Sequence, residues 1–321
     1  MTNNKEEKIY LWGDNKRYNS QSARLKEKYG GRVQKVSISA SFTCPNRDGS
    51  LGTGGCTFCN NDSFTPSYTK VSTEITKQLD EGLKFLKVRY KRTAMFVGYF
   101  QSYTNTYGSL EKITSIYDEA LSHPDINGLV IGTRPDVTTD EQLDYLEKLA
   151  KDYYIDLEFG IETTNDLTLE EINRGHNFAS SVDAIKRASG RGFEVGGHML
   201  FGLPGETRQE MLNQVDEINK LPLDSIKFHQ LQIVRNTVMA KQYKETPQMF
   251  DLFDKNEYIE FVIDFMERLR PDITVQRLSS EAPPAIKIAP DWGTIRIDVI
   301  QNQVEARMAE RDTWQGKLFM S

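Results

Sequence analysis

Cys44, Cys56 and Cys59 are the only cysteines in the 321-residue chain, and all three fall in one short stretch, CPNRDGSLGTGGCTFC. Their spacing is C-x11-C-x2-C, on a loop rich in Gly and Asp. Such a loop is flexible enough to bring three sulfurs to one centre. The two-residue gap between the last two recurs in thiolate metal sites. Three kinds of chemistry are open to them. A [4Fe–4S] cluster ordinarily takes four thiolates, so three would leave one iron for a ligand from outside the protein, and an open iron can react. Structural zinc closes with four ligands, and the fourth would have to come from one of four histidines or a distant carboxylate. Three ordinary reduced thiols are the plain alternative.

The elements that must position this loop follow from hydrophobic periodicity. Residues 33–42 (VQKVSISASF) alternate and are β-branched, which predicts a first strand feeding the loop. From Glu74 apolar residues recur at Ile75, Leu79, Leu83, Leu86 and Tyr90, a helical spacing. Strand and helix then alternate. Strands are predicted at 94–100, 128–132, 155–161, 193–201 and 225–234, with helices between them carrying Leu110, Ile113, Ile116, Tyr117 and Leu121, then Leu143, Leu146 and Leu149. Gly202-Leu-Pro-Gly-Glu-Thr reads as a turn ahead of a helix that Thr207 starts. Six strands with long crossovers predict a parallel α/β sheet. Polar residues gather at the strands' carboxyl ends, where such sheets bind ligands. Among them are Gln101-Ser-Tyr-Thr-Asn105, Thr133, Arg134, Asp136, Glu162, His198 and His229.

Three regions are expected: an N-terminal flank over 1–34, a core over 35–235, and a C-terminal extension over 236–321 packed on that core. The extension holds an amphipathic helix (Tyr258, Phe261, Val262, Phe265, Leu269), a strand-like Ile273-Thr-Val-Gln, and a last helix after Pro283-Pro284. No apolar run approaches a membrane span, and the start MTNNKEEKIY has no apolar signal core. Unpaired cysteines without an export signal argue for a reducing cytoplasm. The net charge of −6 gives no global footprint for nucleic acid, although a local basic patch could be enough. The one basic run, Lys84 to Arg92, is better read as a solvated helix face, since Lys84, Lys87 and Lys91 lie opposite the apolar stripe.

The phrase CPNRDG…GGCTFC, with Phe58 just before the last cysteine, resembles the radical S-adenosylmethionine (radical SAM) superfamily. The resemblance is nearest to its YhcC/YtqA-type branch, related to the Elongator catalytic subunit and to oxygen-independent coproporphyrinogen dehydrogenase. It runs the length of the chain, to Gln315-Gly316-Lys317. The common superfamily loop is C-x3-C-x2-C, and this branch has the long first gap. The resemblance implies a partial (β/α)6 TIM-type barrel with a C-terminal extension. It implies a [4Fe–4S] cluster on Cys44, Cys56 and Cys59, with S-adenosylmethionine on the open iron. Reductive cleavage would give a 5′-deoxyadenosyl radical acting on a substrate. Phe58 would lie against the adenine. Glu162 and Arg174, twelve apart, match the ribose-contacting and carboxylate-contacting pair, the plain alternative being a surface ion pair. His198 stands where relatives carry an Asp, and the plain alternative is a core histidine. Gln101 to Asn105 replaces a Gly-rich turn, with amide and hydroxyl groups to serve the amino group. Thr133 joins the cofactor contacts; Arg134, Asp136 and His229 are candidates for substrate. Relatives often have a Gly and an acidic residue near Ser39 and Ser41, so these small hydroxyls point to an altered substrate side. An electron donor such as flavodoxin or ferredoxin is implied. The substrate is open between a tRNA base and a small metabolite. A rival from another class is a zinc-stabilised binding protein without turnover, and a third reading is a barrel that binds S-adenosylmethionine without cleaving it.

Overall fold

Strong local start signals set most helices of this chain. In the computed structural model, which describes residues 8–61, 65–70, 72 and 74–320, capping boxes open three of them. They are α4 (Asp140–Leu149) behind Thr139 and Gln142, α7 (Arg208–Asn219) behind Thr207 and Glu210, and α9 (Lys255–Arg268) behind Asp254 and Glu257. Ser109 and Asn177 cap α3 (Leu110–Leu121) and α6 (Phe178–Ala188) with their side chains. On α2 (Ile75–Arg89) Leu79, Leu83 and Leu86 are buried, while Lys84 and Lys87, with Lys91 just past its end, face solvent and Lys87 pairs with Asp125 at 2.7 Å. The basic run is therefore a solvated face, as its spacing predicts.

Between these helices run β1 (Arg32–Ile38), β2 (Thr93–Phe100), β3 (Ile126–Thr133), β4 (Tyr154–Glu162), β5 (Glu194–Phe201) and β6 (Ser225–Gln230). They pair in sequence order, every pair parallel, and β8 (Thr274–Arg277) adds a seventh strand beside β6. A sheet wound in one direction with helices outside is the partial TIM-type barrel expected from the resemblance. The strand count grows by one because the C-terminal segment supplies a strand to the sheet itself.

Two strand ends differ from the sequence prediction. β1 stops at Ile38 and not at Phe42, because Ser41 takes a left-handed φ of 55° that no strand accommodates. The sixth strand stops at Gln230 and not at Val234. Gln232 turns its amide to the Ser280 carbonyl and the Ala282 N–H, and Ile233–Val234 (β7) pairs antiparallel with Lys287–Ala289 (β9) in a separate ribbon. The chain ends meet at the barrel's side. Just before α1 (Gln21–Lys28), Ser20 bridges to Val275, while Asn19 donates to Gln315 Oε1 and Gln315 donates to the Arg17 carbonyl. Among the described residues no helix is long and apolar enough to cross a membrane.

Candidate active site

One cavity opens at the carboxyl ends of the strands and takes the three cysteines into its lining. The loop that carries them is anchored by backbone hydrogen bonds more than by packing. Gly55 N–H donates to the Asn46 carbonyl, Cys59 N–H to Cys56, and Thr57 N–H to Ile172. Asn173 donates from Nδ2 to the Gly55 carbonyl at 2.8 Å, and Asn46 donates from Nδ2 to the Asn173 carbonyl at 3.0 Å. The loop is thus stapled to the turn after α5 (Asp166–Glu171), the turn that carries Arg174.

Each sulfur has its own surroundings. The Thr104 hydroxyl donates to Cys44 Sγ at 3.0 Å. Cys56 Sγ accepts from Asn46 Nδ2 and from Arg174 Nη1, both at 3.5 Å. Arg47 donates to the Cys59 carbonyl at 3.1 Å. Burial, with the neighbouring Cys56, pushes the Cys59 thiol up to about 11. Burial also raises Cys44, against the pull of Thr104 and of the Arg134 and Arg174 charges. Among the described residues no three His, Cys, Asp or Glu side chains are grouped to hold a single metal ion.

Arg174 ties the mouth together. Its Nη2 donates to the Gly160 carbonyl at 2.7 Å and meets Glu162 at 3.4 Å, with both side chains largely out of solvent. The pair predicted at twelve residues' separation is therefore a cavity-wall pair and not a surface one. Glu162 sits at φ 68°, just past a register shift in β4, which turns its carboxylate back toward Arg174. A Cβ at Gly160 would stand 2.5 Å from Arg174 Nη2 and 2.7 Å from Glu162 Oε1, so the close approach needs glycine there.

Phe58, Gln101, Thr133, Arg134, His198 and His229 also line this cavity. Two candidates do not. Asn105 is buried with its amide spent on the Phe100 and Gly132 carbonyls at 3.0 and 2.7 Å, where it closes the gap between the ends of β2 and β3. Its placement among the cofactor contacts is corrected by that bonding. Asp136 is held by Arg134 through two hydrogen bonds, at 3.0 and 2.8 Å, so it orients the arginine and does not itself line the cavity. Ser39 and Ser41 are not among the lining residues either.

Of the cavity's inner end, the sequence reading named only His198 and His229 and missed the charged residues around them. Glu158, fully buried on β4, accepts from Lys35 at 2.9 Å, from Tyr99 at 3.3 Å and from Lys227, and pairs with His198 at 3.1 Å. Burial opposes its charge, but Lys227 and Lys35 outweigh it and hold the carboxyl well below its usual range. Burial pulls Lys227 down to about 7 and, with Lys227 beside it, lowers His198. Asp156, two residues away on the same face, accepts from Gln21, Tyr154 and Gln276. Burial and the Glu158 charge push it up to about 7.

The residues fit an anionic, sulfur-ligated group at the mouth. Three thiols share one wall, two of them already receive hydrogen bonds, and buried Arg174 Nε and Arg134 Nη1 have no hydrogen-bond partner among the described residues.

Comparison with known proteins gives the family. The family model described as "Radical SAM superfamily" matches residues 43–218, and that for the "Radical_SAM C-terminal domain" matches residues 223–310. The uncharacterised protein YtqA of Bacillus subtilis (strain 168) is 30% identical over 95% of this chain and 93% of its own length. Protein YhcC of Escherichia coli (strain K12) is 34% identical over 87% of this chain and 90% of its own. Among solved structures, the archaeal Methanocaldococcus infernus Elp3 with an N-terminal deletion superposes with a TM-score of 0.64 at 16% identity. That match covers 88% of this chain and 64% of the other, and it speaks to fold alone.

Proposed function

The chain belongs to the radical SAM superfamily and is an enzyme of that class, and on this premise we propose that Cys44, Cys56 and Cys59 hold one [4Fe–4S] cluster with S-adenosylmethionine beside it. When bound, these groups supply reductive cleavage of S-adenosylmethionine to methionine and a 5′-deoxyadenosyl radical that takes hydrogen from a substrate. The chain's own residues bind, orient and exclude water. Thr104, Asn46 and Arg174 direct N–H and O–H donors at the sulfurs, which favours thiolates. Arg174 Nε and Arg134 Nη1, without partners among the described residues, can each donate one charge-assisted hydrogen bond to a carboxylate. Glu162, Gln101, Thr133 and His198 are left for the ribose and amino groups, and Phe58 for the adenine face.

One observation carries this reading. Arg174 bridges the cysteine loop and the end of β4, touching Cys56 Sγ, the Gly160 carbonyl and Glu162 at once. The test is anaerobic reconstitution, metal and sulfide analysis, and cleavage of S-adenosylmethionine with dithionite. Four irons and four sulfides per chain, lost in Cys56→Ala, with 5′-deoxyadenosine formed, are expected. Zinc in place of iron with no 5′-deoxyadenosine would overturn it and leave the zinc-stabilised binding module. Cluster and S-adenosylmethionine binding without cleavage would leave a degenerate barrel. The electron donor is proposed to be a flavodoxin or ferredoxin.

A tRNA base is the substrate suggested by kinship with the Elongator branch, and tRNA binding by the reconstituted chain tests it. A second reading, a small metabolite, is favoured by the inward placement of basic groups. Lys35, Lys227 and Arg277 lie along the barrel interior, while the basic face of α2 is a solvated helix surface.

A further inference from the structure

At the cavity's inner end, cationic groups outnumber the acids that could neutralise them. Arg277 on β8 lines the cavity, and its side chain makes no hydrogen bond or ion pair among the described residues. His229 on β6 also lines it, its ring tilted against that of His198 at 5.6 Å, and its Nε2 is shielded from solvent with no hydrogen-bond partner among the described residues. Lys227, one strand over from Arg277, has a single carboxylate partner in Glu158, and that carboxylate is already shared with Lys35 and His198. The remaining acid, Asp156, directs its bonded oxygen to Gln21, Tyr154 and Gln276.

We propose that Lys227, Arg277 and His229 form the seat for an anionic group, a carboxylate or a phosphate, carried by the substrate of this enzyme. The proposal rests on the reading above that this cavity is the reaction chamber. The buried His229 Nε2 is costly when left without a partner, and the uncommitted Arg277 guanidinium and the shared Lys227 ammonium stand beside it. An oxyanion satisfies all three at once, by charge-assisted hydrogen bonds. Tyr99, Lys227 and Arg277 also line a second hollow on the far side, together with Arg32 and Lys35, so the seat lies in a field that is positive from both sides. The histidines add donors and not charge, because burial, and for His229 the neighbouring His198 as well, keeps them neutral.

The experiment is calorimetric titration of the full chain with inorganic phosphate and with succinate, at an ionic strength fixed by sodium chloride. Saturable binding of at least one is expected, weakened tenfold or more in Arg277→Gln and in His229→Gln. Arg277→Gln should melt as the wild type does, since its side chain has no partner to lose. Tighter phosphate assigns a phosphorylated substrate, and tighter succinate a carboxylic acid. No saturable binding beyond chloride, or equal binding by Arg277→Gln, overturns the proposal. Cys56→Ala should bind the anion unchanged, so a failure at the mouth and a failure at the inner end are separate results.

Discussion

The mouth and the inner end of the cavity are built on opposite plans. The mouth takes all three thiols from one short loop and holds them by hydrogen bonds to its own backbone and to the neighbouring turn. The inner end takes one side chain from nearly every strand: Lys35 from β1, Tyr99 from β2, Glu158 from β4, His198 from β5, Lys227 from β6 and Arg277 from β8. A loop of many small bonds tolerates the loss of any one. A buried charge network centred on one carboxylate does not, because removing that centre leaves its partners uncompensated. The same difference suits the proposed division of labour, with an invariant cofactor at the mouth and a tunable substrate end at the strands.

The sharpest way to break this contrast is at its centre. Glu158→Gln leaves Lys35 and Lys227 facing each other across Tyr99, and it is expected to lower unfolding free energy in urea by about 3–5 kcal/mol. A loss under about 1 kcal/mol would mean that the inner end is not organised by that carboxylate.

Asp156 sharpens the point through pH. Its folded value near 7 exceeds the unfolded value, so the folded state keeps a proton that the unfolded state has given up. Both forms are protonated in strong acid and Asp156 contributes nothing there. As pH rises from about 4 to 7 its burial becomes progressively destabilising, and above that the penalty is constant. Asp156→Asn should therefore be more stable than wild type at pH 8, by up to roughly 4 kcal/mol, with the difference gone near pH 4. Equal pH profiles for the two proteins would remove Asp156 from the network.

How far each plan could be read from the chain follows from how local it is. The cysteine loop, Phe58 and the twelve-residue step from Glu162 to Arg174 stand out in one dimension, and the structure places them all on one cavity. The inner end is written as alternation. Ile155-Asp-Leu-Glu-Phe and Ser225-Ile-Lys-Phe-His-Gln each put charged or polar residues at every second position of an otherwise apolar strand. That period marks one polar face, and on a strand covered by helices the polar face must point into the barrel. What no spacing reveals is which strands that face joins. Asn105 was misread for a related reason: nothing in the sequence says that the ends of β2 and β3 leave two carbonyls for its amide to close. The strand-like Ile273 to Gln276 was legible, but not its place as the seventh strand, because a helix pair separates it from β6.

Between the two regions stands Gly160, on β4 beyond Glu158 and under Arg174. Gly160→Ala brings a methyl group against Arg174 Nη2 and Glu162 Oε1, and it should cost about 1–3 kcal/mol while moving the arginine. If the two regions are separate constructions, this variant loses S-adenosylmethionine binding and keeps the anion binding proposed for the inner end. Loss of both in a folded protein would join them into one unit.

The smallest effect is expected at Thr104, and it tests the mouth's own plan. Thr104→Val keeps the side-chain shape and removes one hydrogen bond, to Cys44 Sγ. A single bond of that kind contributes about 0.5–1.5 kcal/mol. The Thr104 N–H would still reach the Thr43 carbonyl, and the staples through Asn46, Asn173 and Thr57 lie elsewhere on the loop. The variant should therefore fold with a loss near the low end of that range and still take up iron on reconstitution, at lower occupancy after dilution. If one hydroxyl instead accounted for several kcal/mol or abolished iron uptake, the loop would depend on a central residue just as the inner end depends on Glu158. The contrast between a distributed mouth and a centred network would then be lost.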